Sequence, residues 1–262
     1  SALSSEAFGG GAAWGCGRFA GRPHFRLCRA HAHTAMWDVM LLPIALILVV
    51  SYLLGSLPFG FLVGRAHGVD IRSEGSGNIG ATNVFRVVGR GWGLLVFALD
   101  FLKGLVPVLL APWLALQAGG GGSLASLPLL AAGLAAILGH NYPCWLGFRG
   151  GKGVATSGGA LVGIMPWVAL VGLVAWLLVF LPTRYVSLAS IVAALALPVA
   201  YYALAGWRGG FEPALFALAL VIAALAVWRH RGNIARLLNG TEHRMTAGDG
   251  GGSRHGGRER QT

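Results

Sequence analysis

Runs such as LLPIALILVVSYLL, Leu41 to Leu54, are apolar on every side and recur along the whole chain. A bilayer helix needs about 20 such residues. A membrane β-barrel would instead show segments of about ten residues alternating apolar and polar. The chain is therefore expected to be all-α, a polytopic membrane helix bundle. That 55% of its residues are hydrophobic and only 11% charged leaves little polar surface for a soluble alternative.

Two further classes are excluded by where the charges and cysteines lie. A net charge of +11 suits nucleic acid, but the arginines flank apolar runs and crowd the C-terminal tail rather than lining one amphipathic face. They suit membrane flanks, so the partner surface is lipid and not nucleic acid. Of the three cysteines, Cys16 and Cys28 sit in a Gly/Ala/Arg/His-rich stretch and Cys144 follows a helix, with no metal spacing. No metal, cofactor or disulfide framework is expected.

Residues 1–35 have no apolar period and do not resemble a complete secretory signal. They are expected to be a disordered or non-native extension, with Met36 and Met40 directly before the first apolar run. Residues 36–244 then form a single transmembrane domain, and 245–262 a disordered basic tail. Apolar segments fall at about 40–64, 92–116, 123–142, 154–181, 186–205 and 211–229. The fourth holds Gly158, Gly159, Gly163 and Pro166, so it reads as two shorter pieces joined near Pro166.

About seven pieces result, and the positive charges sort accordingly. Arg65, Arg72, Arg86 and Arg90 fall in the first inside loop, Arg149 and Lys152 in the second, Arg184 in the third, and Arg229, Arg231 and Arg236 at an inside C-terminus. Only Arg208 is left outside. The N-terminus is then external and the C-terminus cytoplasmic. The two halves show no inverted repeat.

Two glycine-rich basic loops stand at these inner ends. GSGNIG at Gly75 matches the dinucleotide fingerprint literally, but that motif needs a βαβ unit of about 30 residues, which does not fit between two spans. What survives is local: Gly75 and Gly77 let backbone amides turn toward an anion, and Ser76, Asn78, Thr82 and Asn83 add short polar groups. Arg86 supplies a fork for phosphate oxygens. A loop that merely connects helices needs neither this density of donors nor the arginine. FRGGKGVATS imitates a Walker A loop but has Leu146 at the first glycine position and Gly153 after Lys152, so ATP binding is not supported. Gly150, Gly151 and Gly153 around Lys152, leading into a helix N-terminus, favour phosphate or an acyl phosphate. The plainer alternative is that Arg149 and Lys152 only anchor a helix end.

Weaker signals complete the set. Ser187 and Ser190 share a helix face, though membrane serines commonly bond their own backbone. His230 and Asn233 lie three apart among Arg229, Arg231 and Arg236, where a histidine can hold a hydroxyl or phosphate or shuttle a proton. Asp100 and Lys103, also three apart inside a span, are expected to pair. The HxxxxD spacing of His33 and Asp38 is read as chance.

Together YLLGSLPFGFLVG, GSGNIGATNVFR, GHNYPCWLGFRGGKGVATS, TRYVSLAS and HRGNIARLLNGTE, spanning about Ser51 to Glu242, closely resemble the bacterial PlsY family of membrane glycerol-3-phosphate acyltransferases. The resemblance implies seven helices in the bacterial inner membrane with the active site facing the cytoplasm. It implies transfer of a fatty acyl group from acyl phosphate to the sn-1 hydroxyl of glycerol 3-phosphate, giving lysophosphatidic acid and inorganic phosphate, with no cofactor and no obligate protein partner. By position, Ser76, Arg86, Lys152 and His230 would be catalytic. Gly150, Gly151, Gly153, Ser187, Ser190 and Asn233 would bind substrate and Glu242 would be structural, while Gly75, Gly77, Asn78, Thr82 and Asn83 are expected to bind substrate from the loop chemistry above. Arg149 departs mildly, since many members carry Lys there. The competing classes are a transporter or channel for a phosphorylated metabolite and an inactive scaffold. Phosphate release with lysolipid formation in detergent, where no gradient exists, separates catalysis from both.

Overall fold

The computed structural model describes residues 41–117, 126–206, 210–246 and 248–249, which lie within one compact unit. The N-terminal stretch with Cys16, Cys28, His33, Asp38, Met36 and Met40, the outside Arg208, and residues beyond 250 fall outside the described residues.

Among the described residues ten α-helices follow one another: α1 (41–55), α2 (Phe59–Ala66), α3 (Ala81–Val87), α4 (Arg90–Gln117), α5 (Ser126–Asn141), α6 (Val154–Ile164), α7 (Pro166–Thr183), α8 (Val186–Ala205), α9 (Pro213–Arg229) and α10 (Arg231–Leu238). Five segments of the described residues are long and apolar enough to cross a bilayer: Leu41–Ala66, Arg90–Gln117, Ser126–Leu146, Pro166–Thr183 and Val186–Ala205. A sixth counts if α9 and α10, bent by 57° where they meet, are taken as one span. The 11 residues of α6 reach about 16 Å, roughly half the hydrocarbon thickness.

The breaks have local causes. Met165 is held extended (φ −138°, ψ 68°) because the ring of Pro166 bars the helical region for the residue before it, and Pro166 then opens α7. This is the division expected near Pro166. The first apolar segment is also divided, at Ser56 to Pro58, which its hydropathy did not reveal. The Leu57 carbonyl freed there accepts a hydrogen bond from Lys103 Nζ at 2.7 Å. Lys103 also pairs with Asp100 Oδ1 at 2.7 Å, and His140 Nδ1 of α5 stands 3.6 Å from the same oxygen. The expected pairing thus becomes a buried knot joining α1, α4 and α5.

Glycines let the backbones close. A Cβ on Gly104 would stand 2.1 Å from the Thr156 carbonyl oxygen, and one on Gly159 would stand 2.0 Å from that of Phe101, so α4 and α6 touch through reciprocal small residues. Ile47, Val108, Ile137, Leu161, Leu197 and Ile222 fill the main core. A smaller cluster, Ile71, Ile79, Val84 and Val96, lies under the first glycine-rich loop. That loop is therefore packed rather than slack, and α3 is a helix the hydropathy had not marked.

Gly104→Ala is expected to lower the melting temperature of the detergent-solubilised protein, by about 1–3 kcal/mol of overpacking. Gly91→Ala, on the same helix with nothing within 4 Å of its Cβ position, is expected to be neutral or mildly stabilising.

Candidate active site

The first loop is organised from within by Asn83. Its side chain, 1% exposed, accepts the Ser76 N–H at 2.9 Å and donates to the carbonyls of Ile71 (3.1 Å) and Glu74 (3.0 Å). Asn83 therefore does not face the cleft, contrary to the reading that grouped it with substrate donors. Gly75 lies against it in the left-handed region (φ 58°), where a Cβ would meet Asn83 Oδ1 at 2.3 Å. Asn78 Oδ1 accepts the Gly80 N–H, closing the turn into α3. The result presents Ser76, Gly77 and Asn78 outward. Thr82 is half-buried in the first turn of α3, and Arg86, in the last turn, keeps a buried Nε with no hydrogen-bond partner among the described residues.

The second loop is held from two sides. The amides of Gly150 and Gly151 donate to the carbonyls of Asn141 (3.2 Å) and His140 (3.1 Å) at the end of α5. Their carbonyls accept from Arg229: Nη2 to Gly150 at 2.7 Å, and Nη2 and Nε to Gly151 at 2.7 and 3.0 Å. The expectation that these two amides point at an anion does not hold, since both are spent on α5. Gly153, at φ 75°, turns the chain into α6, whose first turn has no side-chain cap. Its first-turn N–H groups and dipole end are of the kind that suits an anion.

The third part is the bend between α9 and α10. His230, 2% exposed, donates Nδ1–H to the Ala226 carbonyl at 2.8 Å, which leaves Nε2 as an acceptor. Glu242 gathers the surroundings: it accepts from Ser187 Oγ (2.6 Å), Asn233 Nδ2 (2.6 Å) and Arg236 Nε (2.8 Å). Burial would raise this carboxyl, but the three donors outweigh it and hold it below the usual carboxylate range. Ser187 is thus bound to Glu242. Ser190 donates to the Val186 carbonyl and accepts from Trp176 Nε1, so its hydroxyl serves the bundle rather than the cleft.

These three parts meet. Burial, together with the nearby guanidinium groups of Arg236, Arg86 and Arg229 and against the pull of Glu242, pushes the Lys152 ammonium down to about 8. Burial and the Lys152 charge push His230 down to about 4, so it is neutral at pH 7. Lys152 thus lies within electrostatic reach of both Arg86 and His230, and of the three it is Lys152 that lines the cleft. A cleft of about 340 Å³ is lined by Ser76, Asn78, Lys152, Arg231, Asn233 and Arg236 among others. A neighbouring one of about 550 Å³, with Arg72, Phe148 and Arg149, shares Gly77, Gly150 and Arg229 with it. Among the described residues no three His, Cys, Asp or Glu side chains come together as metal ligands. The converging groups are cations and hydrogen-bond donors, which suit two anionic heads side by side.

The family model for "Glycerol-3-phosphate acyltransferase" matches residues 45–240. The chain belongs to this family. A glycerol-3-phosphate acyltransferase from Aquifex aeolicus is 47% identical over 202 residues, 77% of this chain and 99% of that protein. One from Gloeobacter violaceus is 50% identical over 205 residues, covering 78% and 96%. A crystal structure of PlsY, an integral membrane glycerol 3-phosphate acyltransferase in its glycerol 3-phosphate form, superposes with a TM-score of 0.67 at 46% identity, covering 78% of this chain and 96% of that one. Sequence reasoning placed Arg229 only among basic anchors. No sequence signal set it apart, since Arg231 adjoins His230 just as directly.

Glu242→Ala strands three donors from two helices. It is expected to lower the stability of the detergent-solubilised protein by about 2 kcal/mol, read as a drop in melting temperature, whereas Ser76→Ala, at the cleft wall, leaves that temperature unchanged.

Proposed function

We propose that the chain transfers a fatty acyl group from acyl phosphate to the sn-1 hydroxyl of glycerol 3-phosphate, forming lysophosphatidic acid and inorganic phosphate. The observation that supports this reading is the gathering of Lys152, Arg229 and Arg236 along one cleft, within electrostatic reach of Arg86 and neutral His230, in a chain whose relatives are named glycerol-3-phosphate acyltransferase. Two phosphate groups brought together repel, and cations with little competing water are what offsets it.

In this mechanism the hydroxyl oxygen attacks the acyl carbon, the acyl carbon–oxygen bond to phosphorus breaks, and the ester forms. The hydroxyl proton passes to the departing phosphate, which leaves as hydrogen phosphate. A mixed anhydride has a good leaving group, so no covalent acyl-enzyme is required. Lys152, with the α6 N-terminus, neutralises the departing phosphate, and Arg86 and Ser76 hold the phosphate of glycerol 3-phosphate. His230 Nε2 accepts the attacking hydroxyl and orients it. An imidazole held near 4 is a poor proton acceptor at pH 7, which favours the leaving phosphate in that role. The acyl chain lies in a groove between helices open to lipid. We read the topology as seven pieces, with α6 and α7 as a broken pair, an external N-terminus, and the site on the cytoplasmic side of a bacterial inner membrane, where the positive-inside bias puts Arg and Lys.

The direct test is purified protein in detergent, given glycerol 3-phosphate with acyl phosphate or acyl-CoA. Lysophosphatidic acid with stoichiometric phosphate from the first donor alone is expected, and no product from either overturns the assignment. Lys152→Ala is expected to cost about 10²–10³ in kcat. His230→Gln, which keeps an acceptor but no base, is expected to stay within about tenfold of wild type; a loss as deep as that of Lys152→Ala would make His230 the base. Because Lys152 must be protonated to hold anions and its free-enzyme pKa is about 8, kcat/KM is expected to be level below that pH. It falls about tenfold per pH unit above it.

A further inference from the structure

Arg229 lines both of the neighbouring cavities, together with Gly77 and Gly150. Its guanidinium is spent on backbone: Nε and Nη2 make three bonds to the Gly150 and Gly151 carbonyls at 2.7 to 3.0 Å. Its plane also lies 5.2 Å from the centre of the Tyr142 ring, which helps hold it in place. With both amides of the same two residues bonded to α5, every backbone polar group of Gly150 and Gly151 is engaged. No side chain at those positions competes: a Cβ on Gly150 would meet the His140 carbonyl at 2.1 Å, and one on Gly151 the His140 ring at 2.0 Å. Lys152 follows this two-residue staple directly, and His230 follows Arg229 directly.

We infer that Arg229 is a positioning residue: by gripping the Gly150 and Gly151 carbonyls from the end of α9, it fixes where Lys152 stands relative to His230. Residues about 78 positions apart in the chain are thereby set to one spacing. A lysine cannot replace it, because one ammonium is a point charge and does not span two carbonyls in a fixed fork. This rests on the acyl-transfer reading only for its kinetic consequence; the grip itself is testable without turnover.

Hydrogen–deuterium exchange of the detergent-solubilised full chain reads the grip. In Arg229→Ala and Arg229→Lys, amides of the peptide covering Gly150 and Gly151 are expected to exchange about tenfold faster, with α4 and α8 protected as in wild type. Unchanged exchange in the loop overturns the proposal. So does a general loss of protection, since Arg229 would then hold the fold and not the loop. For turnover, Arg229→Ala alone is expected to lower kcat/KM about 100-fold, but only about threefold or less when introduced into Lys152→Ala, because the group it acts through is gone. Arg229→Lys is expected to match Arg229→Ala within about threefold. Additive losses, or a near-normal Arg229→Lys, would show that Arg229 acts on substrate by its charge alone. If wild type shows no transfer while the exchange result holds, the function fails and the grip stands.

Discussion

A helix that ends inside or beside a bilayer leaves carbonyls with no water to turn to, and this protein answers them with cationic side chains. Lys103 takes the Leu57 carbonyl where α1 gives way to α2. Arg229 takes those of Gly150 and Gly151 between α5 and α6. In both places a charge that would be costly alone is placed where a break needs a donor, so burial and chain interruption stabilise each other. The interruptions are what allow three separated stretches of chain to face one another at a single end of the bundle.

The resulting electrostatics are lopsided. Lys152 lies near Arg86, Arg229 and Arg236, while Glu242 pulls the other way on Lys152 and, with Asp249, on Arg86, and is itself bonded by Ser187, Asn233 and Arg236. Burial, reinforced by the surrounding cations, weakens proton binding at Lys152, and burial with the Lys152 charge keeps His230 neutral. A cluster of cations set against so little negative charge is an environment that favours anions.

Much of the fold was legible because hydropathy and proline act locally. The split near Pro166, the extents of α5 and α9, and the contact of Asp100 with Lys103 follow from residues within a turn of each other. The break at Ser56 to Pro58 was hidden because the flanking residues stay apolar, and α3 because seven residues in a loop carry little periodic signal. In the site, the polar residues of GSGNIGATN look alike in sequence, yet Asn83 is turned inward by the phase of α3 over a small core of its own. Nothing in FRGGKG reveals that carbonyls of α5 lie opposite its amides. Arg229 was indistinguishable from its basic neighbours until its partners, about 78 residues away, were in place.

The Ser187–Glu242–Asn233 junction also orders events in time. Glu242 lies downstream of both α8 and α10, which it ties together, so this tie closes only once the chain through Glu242 has left the ribosome. Until then α8 and α10 lack the carboxylate that joins them, which makes this junction one of the last contacts of the fold to form.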